Sequence, residues 1–334
     1  MFVIKNYKVI AKSKTKYLSF PDIIGSKQDK NKFFLVYRSG QGHHPTSSYL
    51  HFLISEDKGN SWSEKYVFPL SFKKNNQVWN CPRLSYLPDN SLNIFCDTKT
   101  SVIERSAEFR IWQLKSYNDG KEFKTRLTEM RGMVPDKIIK FKDKLYCANH
   151  THDYIGSLTQ LINYSTDKGK TWYGCTVLAR NKDNAFCEAS LVNYNDQYLI
   201  AYLRDNMSYA PPRNIYKYIS SDGINWFPKG KLPIQGHRPT ALLEKENWGR
   251  KRLILSFRNT KKYGISVLSA TLNRQKIEKN IELINIEEEK EENLFHCGYT
   301  GMVKTSENKY LLVYYIQGER KLPLIKSVFL EWKN

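Results

Sequence analysis

A short pattern, Ser-x-Asp-x-Gly-x-x-Trp, recurs along this chain and restricts its possible folds more than any other feature. It stands at Ser55, Asp57, Gly59 and Trp62, and again at Ser165, Asp167, Gly169 and Trp172. One residue shorter, it returns at Ser220, Asp222, Gly223 and Trp226; a worn copy is Ser116, Asn118, Gly120 and Phe123. The chemistry is that of a hairpin turn. Ser and Asp side chains bond nearby backbone N–H groups, Gly supplies a positive φ, and the aromatic ring folds back under the turn. Such a unit, repeated about every 50 to 60 residues, predicts a β-propeller.

The rest of the sequence keeps the same period. Short segments around a Pro or a small residue open each cycle: Phe20-Pro21, Cys81-Pro82-Arg83, Val134-Pro135-Asp136, Cys187-Glu188-Ala189, Arg238-Pro239-Thr240 and Gly298-Tyr299-Thr300. An apolar strand follows each one, from Phe33, Leu92, Lys144, Tyr198, Arg252 and Tyr310, behind a polar turn. Six such cycles predict an all-β, six-bladed propeller occupying residues 1–334 as one domain. The last cycle ends in a strand from Leu324 to Trp332, and the N-terminal Tyr7 to Lys14 segment is expected to complete it, closing the ring and removing an exposed edge. Inner strands of a propeller run the same way around a central channel. Arg38, Asp97, His150, Arg204 and Arg258, which end equivalent strands, are therefore expected to meet on one rim.

Composition agrees with a strand-rich globular chain: 22 Tyr, 16 Phe and 7 Trp against only 17 Gly. The formal charge of +20 comes mostly from scattered Lys and predicts attraction to anionic partners. No basic helix or zinc spacing accompanies it, so nucleic acid is not expected. An anionic glycan fits better. The acidic run Glu287 to Glu292 reads as a solvated loop between blades. Cys81, Cys96, Cys147, Cys175, Cys187 and Cys297 lie singly, without metal-ligand spacing, and read as buried thiols of a reducing compartment. The N-terminus lacks a long apolar segment and no apolar run approaches membrane-spanning length, so a soluble, cytoplasmic protein without a cofactor is expected.

At this level the chain resembles the sialidase superfamily, the six-bladed propellers that carry Asp-box (BNR) repeats. The stretch from Cys187 and Glu188 to Leu203 and Arg204 is similar to the segment in which that family's Glu assists a tyrosine nucleophile and its Arg binds the substrate carboxylate. The run from Cys297 through Tyr299 to Val303 is similar to its tyrosine strand, and Gly236 to Thr240 followed by Arg258 resembles its fifth blade. Two departures mark a divergent branch. Ser19-Phe20-Pro21-Asp22 stands where the family has its first arginine, and the loop from Tyr37 to Pro45 lacks the Asp that serves the family as acid/base.

The resemblance implies Tyr299 as nucleophile, activated by Glu188, because a carboxylate nucleophile would be repelled by an anionic substrate. Arg38, Arg83, Arg204, Arg238 and Arg258 are candidates for holding the anionic group, since guanidinium forks bind carboxylates bidentately. His43 or His44, where the proton donor is expected, titrates near neutrality when unperturbed and is the candidate acid/base. Asp97, Asp136 and His237 are the alternatives. The function implied is an exo-glycoside hydrolase acting on a terminal acidic sugar. A non-catalytic glycan- or protein-binding propeller and a uronic-acid polysaccharide lyase remain alternatives.

Overall fold

A computed structural model describes residues 1–70, 77–100, 109–152, 158–207, 214–246, 250–273, 278–318 and 321–333, leaving the side chains of Thr100 and Cys175 outside that description. The first strand, β1 (Phe2–Ala11), stands apart from its chain neighbours. Four-stranded antiparallel sheets follow: β2 (Tyr17–Gly25), β3 (Phe33–Gly40), β4 (Ser48–Ser55) and β5 (Ser63–Pro69); then β6 (Gln77–Tyr86), β7 (Leu92–Thr100), β8 (Arg110–Ser116) and β9 (Lys124–Arg131); then β10 (Ile139–Phe141), β11 (Lys144–His152), β12 (Leu158–Ser165) and β13 (Tyr173–Ala179). A seven-stranded sheet comprises β14 (Phe186–Tyr194), β15 (Tyr198–Asp205), β16 (Asn214–Ser220), β17 (Phe227–Lys245), β18 (Lys251–Asn259), β19 (Gly264–Leu272) and β20 (Glu278–Glu288). Its 19-residue β17 pairs with β16 through its first part and with β18 through its second. The last sheet runs β21 (Gly298–Ser306), β22 (Lys309–Gln317), β23 (Pro323–Trp332) and β1. The architecture is all-β and propeller-like.

Closure joins the two chain ends, with β1 antiparallel to β23 from Phe2 opposite Trp332 to Ala11 opposite Ile325. The closing strand thus begins five residues earlier than the Tyr7 start expected, because Phe2 is needed in the apolar wedge with Tyr310 and Val328. One apolar cluster fills each gap between neighbouring sheets; Phe34, Phe52, Leu84 and Ile94, for example, sit between β2–β5 and β6–β9. These clusters come from the alternate residues of strands buried on both faces.

The Ser/Asp turns tie one sheet to the preceding one. Ser55 Oγ accepts from the Gly59 N–H at 2.7 Å, and Asp57 Oδ1 accepts from Ser61 N–H at 2.8 Å. Ser116, Ser165 and Ser220 accept in the same way from Gly120, Gly169 and Gly223. A Cβ on Gly59 would stand 2.2 Å from Leu311 Cδ2 of the closing sheet, and one on Gly223 2.4 Å from the Tyr146 ring. Glycine is required there by close approach as well as by the positive φ of 87° and 77°.

The acidic run is not all loop. Glu287 and Glu288 end β20, and the Glu287 carboxylate accepts from Tyr314 Oη and Lys326 Nζ, each at 2.5 Å. Cys81, Cys96, Cys147, Cys187 and Cys297 are buried and unbridged. Among the described residues, no helix is long and apolar enough to cross a membrane.

Candidate functional site

The site is built on a repeated irregularity. In β2, β6, β14, β17 and β21 the pairing slips by one residue at Phe20-Pro21, Asn80-Cys81, Glu188-Ala189, Arg238-Pro239 and Tyr299-Thr300. Val134-Pro135 takes the same place just past the Met133–His150 bridge. These are β-bulges, which re-aim a side chain out of the regular alternation. Phe20, Val134, Glu188, Arg238 and Tyr299 all sit at φ between 46° and 58°, a region that costs non-glycine residues free energy.

On the adjoining strands, Arg38, His150, Arg204 and Arg258 lie opposite Ser19, Met133, Cys187 and His237, the residues just before the bulges. They share one register, as expected. Asp97 does not. Thr98 holds the equivalent place, opposite Trp79, and Asp97, one residue earlier, turns away because side chains alternate along a strand. Its carboxylate accepts from Asn80 Nδ2 at 2.8 Å and from Cys81 N–H at 3.0 Å, so it fastens a bulge instead of facing a ligand. Tyr315, opposite Gly298, completes the register and was not anticipated.

At the centre, Tyr299 Oη donates to Glu188 Oε1, and Arg204 Nη1 donates to Glu188 Oε2 at 2.8 Å. Arg204 also donates to Asn206 Oδ1. Burial and the adjoining Glu188 carboxylate hold the Tyr299 phenol well above its usual pKa. For Glu188, burial pulls upward, but the charges of Arg204 and Arg238 outweigh it and keep the carboxylate ionised below the ordinary range. The resting pair is therefore a neutral phenol on a carboxylate. His150 contributes from behind, its Nδ1 accepting from the Glu188 backbone N–H at 3.4 Å; burial holds its pKa at about 3.

Arg238 and Arg258 flank the phenol, each with its guanidinium carbon 5.7 Å from the Tyr299 ring centroid. Arg258 is aimed by Cys297 O, which accepts from Nε at 2.6 Å, and by Tyr315 Oη at 3.2 Å. Gly298, at φ 113°, permits that approach: a Cβ there would stand 2.8 Å from Arg258 Nε. Arg38 is otherwise engaged. Ser19 Oγ, Asn80 Oδ1 and the carbonyls of Gly42 and His43 accept its N–H groups, and its guanidinium lies 4.4 Å over the Phe20 ring. Phe20 itself packs 4.5 Å from Tyr299, at the bulge of the first sheet where the resemblance leads one to look for an arginine. Arg83 is not gathered at this rim. It lies deeper, paired with Asp22 at 3.2 Å and bonded to Thr300 O at 3.3 Å.

His43 and His44 follow β3 in a bend, not a strand. The His43 ring sits against Tyr17 and Phe20, whereas His44 is exposed with Lys99 Nζ 3.2 Å from its Nδ1. Burial, then the charges of Arg38, His44, Arg258 and Lys99, lower the His43 pKa to about 2. The expected near-neutral titration is therefore displaced: His43 is a neutral imidazole here. His237, beside Arg204 and Arg258, is likewise held well below its usual value, by burial first. Asp136 is buried, accepts from Leu191 N–H at 3.0 Å, and joins neighbouring sheets. Among the described residues, no group of three or more His, Cys, Asp or Glu is placed to hold a metal ion.

The BNR repeat-like domain family matches residues 32–273. No curated protein sequence matches the chain. Solved structures do. A protein of unknown function from Dyadobacter fermentans superposes with a TM-score of 0.80 at 19% identity, covering 99% of each chain. An alpha-L-arabinanase from Penicillium chrysogenum, complexed with arabinobiose, gives 0.74 at 14% identity, covering 97% of this chain and 98% of that one. The NanB sialidase from Streptococcus pneumoniae, as its K499G mutant, gives 0.72 at 12% identity over 97% and 70%. At these identities the likeness is one of fold.

Proposed function

The chain belongs to the BNR repeat-like domain family and is a sialidase-like β-propeller, and on that premise we propose that it is an exo-acting glycoside hydrolase that removes a terminal acidic sugar through a tyrosine nucleophile. The observation that carries this reading is the buried Tyr299–Glu188–Arg204 triple, with Arg258 and Arg238 beside it. In the first step Tyr299 Oη attacks the anomeric carbon, its proton passes to Glu188, and the bond to the leaving oxygen breaks. Transfer from a raised phenol to a lowered carboxylate is uphill at rest, so it proceeds only together with the attack, as positive charge builds on the sugar. In the second step water replaces Tyr299 and the phenolate recovers its proton from Glu188. Two displacements retain the anomeric configuration.

His43 is the acid/base of this reading. As a neutral imidazole it has a free lone pair for the proton of the attacking water, but its lowered pKa makes it a weak base until a bound anion raises it. To protonate a leaving oxygen it must first gain a proton, which an anion bound beside Arg258 favours by offsetting part of the nearby positive charge. Arg258 holds the anionic group, Arg238 acts on the Tyr299–Glu188 pair from the interior side, and Arg38 braces Phe20 and the His43 loop.

The blade count belongs to the same reading. Taking β17 as a strand shared by two blades, outermost in one and innermost in the next, turns the seven-stranded sheet into two four-stranded blades and the ring into six.

A panel of fluorogenic glycosides of acidic and neutral sugars tests the proposal. Turnover of an acidic sugar that falls by about 10²-fold or more in Tyr299→Phe and Glu188→Gln supports it; no turnover on any sugar, or equal rates in both variants, contradicts it. One observation favours a second reading. Phe20 fills the place of an expected arginine and Arg38 is engaged by four protein acceptors, which suits a propeller that binds a glycan without cleaving it. Glycan binding unchanged in Tyr299→Phe, with no turnover, identifies that case.

A further inference from the structure

Beneath Tyr299, two arginines cross the interior from opposite sides. Arg83, on β6, reaches Asp22 Oδ1 on β2 at 3.2 Å and Thr300 O on β21 at 3.3 Å. Arg238, on β17, reaches across to Pro135 O, just before β10, at 3.2 Å. Arg83 is 2% exposed and Arg238 is fully buried. Nevertheless Nε and Nη2 of Arg83 and Nε and Nη1 of Arg238 are buried with no hydrogen-bond partner among the described residues. A buried, unpaired guanidinium N–H is costly, and the cost rises when the group is charged.

Charge balance points the same way. Asp22 is shared: its Oδ2 accepts from Leu84 N–H at 2.8 Å, and its Oδ1 takes both Arg83 and Lys137 Nζ, each at 3.2 Å. Asp136 is a second carboxylate near the two arginines, and one of its oxygens is occupied by Leu191 N–H. Glu188 also acts on Arg238 but is paired with Arg204; with that pair counted as balanced, Arg83, Arg238 and Lys137 have Asp22 and Asp136 between them, leaving one positive charge in excess. Burial and the nearby Arg238 charge both weigh against the charged form of Arg83.

We infer that the interior beneath the nucleophile is a binding site for one small monovalent anion of the halide class, held between the guanidinium groups of Arg83 and Arg238. Such an ion supplies an acceptor to the unpartnered N–H groups and cancels the excess charge. The inference stands whether or not the chain is a hydrolase. Because Arg238 is one of the charges that hold Glu188 ionised, a bound anion also moderates that hold, which places the site next to the chemistry.

Crystals of the full-length protein soaked in sodium bromide, with data collected at the bromine absorption edge, test the assignment directly. The expected result is one anomalous peak between Arg83 and Arg238. In parallel, the melting temperature is followed as bromide replaces gluconate at constant ionic strength. It should climb by roughly 2 °C for each tenfold rise above the dissociation constant, and Arg83→Met should abolish the climb. No peak at that position, with water bridging the guanidinium groups instead, overturns the inference. So does a bromide-dependent rise that persists undiminished in Arg83→Met.

Discussion

Tyr299 and Glu188 lie 111 residues apart in the chain, yet the tyrosine hydroxyl donates to the Glu188 carboxylate, and both residues occupy the left-handed backbone region at equivalent bulges. The contact depends on the bulges: regular alternation would distribute those side chains differently between the faces of their strands. Strain at φ 46° and 51° is retained because the surrounding sheets fix the backbone on both sides.

A neutral His43 has a consequence for leaving groups. With its pKa lowered to about 2 in the ligand-free chain, it is a poor proton donor to a departing alkoxide. Aryl glycosides with acidic phenols should therefore be cleaved faster than alkyl glycosides of the same sugar, by about 10²-fold or more. Replacing His43 by Ala should slow the alkyl substrates most. A series of substituted phenyl glycosides checks this through the slope of log kcat/KM against leaving-group pKa; a flat slope contradicts the poor-donor statement, and a slope unchanged in His43→Ala removes His43 from the role assigned to it.

Arg258 is aimed by the Cys297 carbonyl and by Tyr315. Arg258→Lys keeps the charge but loses the planar fork, and is expected to raise KM for an acidic sugar by roughly tenfold while leaving a neutral analogue almost unchanged. Steady-state kinetics on a matched acid and amide pair read the difference. An equal effect on both substrates makes Arg258 a packing residue.

The sequence made most of the fold legible because its devices are local. Turn residues, β-strand patterning and the Ser/Asp period are set by neighbours, so the second strands appear close to where they were expected and the last sheet closes on the N-terminus. The placement of Glu188, Arg204 and Arg258 around Tyr299 follows from the repeat register, whatever role they have. Asp97 was misplaced by one residue because an apolar run marks a strand without revealing which of its polar end residues faces inward. The bulges were hidden for a different reason. A left-handed Val134 or Phe20 has no composition of its own; the proline that follows Phe20, Val134 and Arg238, lacking a ladder donor, was the available signal. Phe20 and Tyr315 are apolar or aromatic residues among many, and only the assembled sheets bring them to the site.

Acid should weaken the folded state through the buried histidines. His150 is neutral in the fold with a pKa of about 3, against an unperturbed value of 6.5. Its contribution is full above pH 6.5 and is lost as pH falls, because the unfolded chain takes up the proton first. Between pH 7.5 and 5.5 that loss amounts to about 1.4 kcal/mol. Asp97 and Asp136, raised by burial, act with the opposite sign, so the quantity to read is wild type minus His150→Gln in urea unfolding at the two pH values. Parallel curves contradict the assignment.

Gly59→Ala tests the fastening between the first and last sheets. The added methyl meets Leu311 at 2.2 Å on a backbone at φ 87°, so both overpacking and strain oppose it, and a loss of about 1–3 kcal/mol is expected. Gly42→Ala, where a Cβ meets nothing within 4 Å, should cost little and is the control. Equal melting temperatures for the two variants would show that the turn does not clamp the ring.

The central claim is that Tyr299 bonds covalently to the sugar. Fluorinated glycosyl fluorides of acidic sugars slow the second displacement and trap that species, and peptide mass spectrometry locates it. The account predicts an adduct of one sugar on the peptide carrying Tyr299, absent from Tyr299→Phe, and released with retention at the anomeric carbon. An adduct on another residue, or cleavage with inversion, contradicts it.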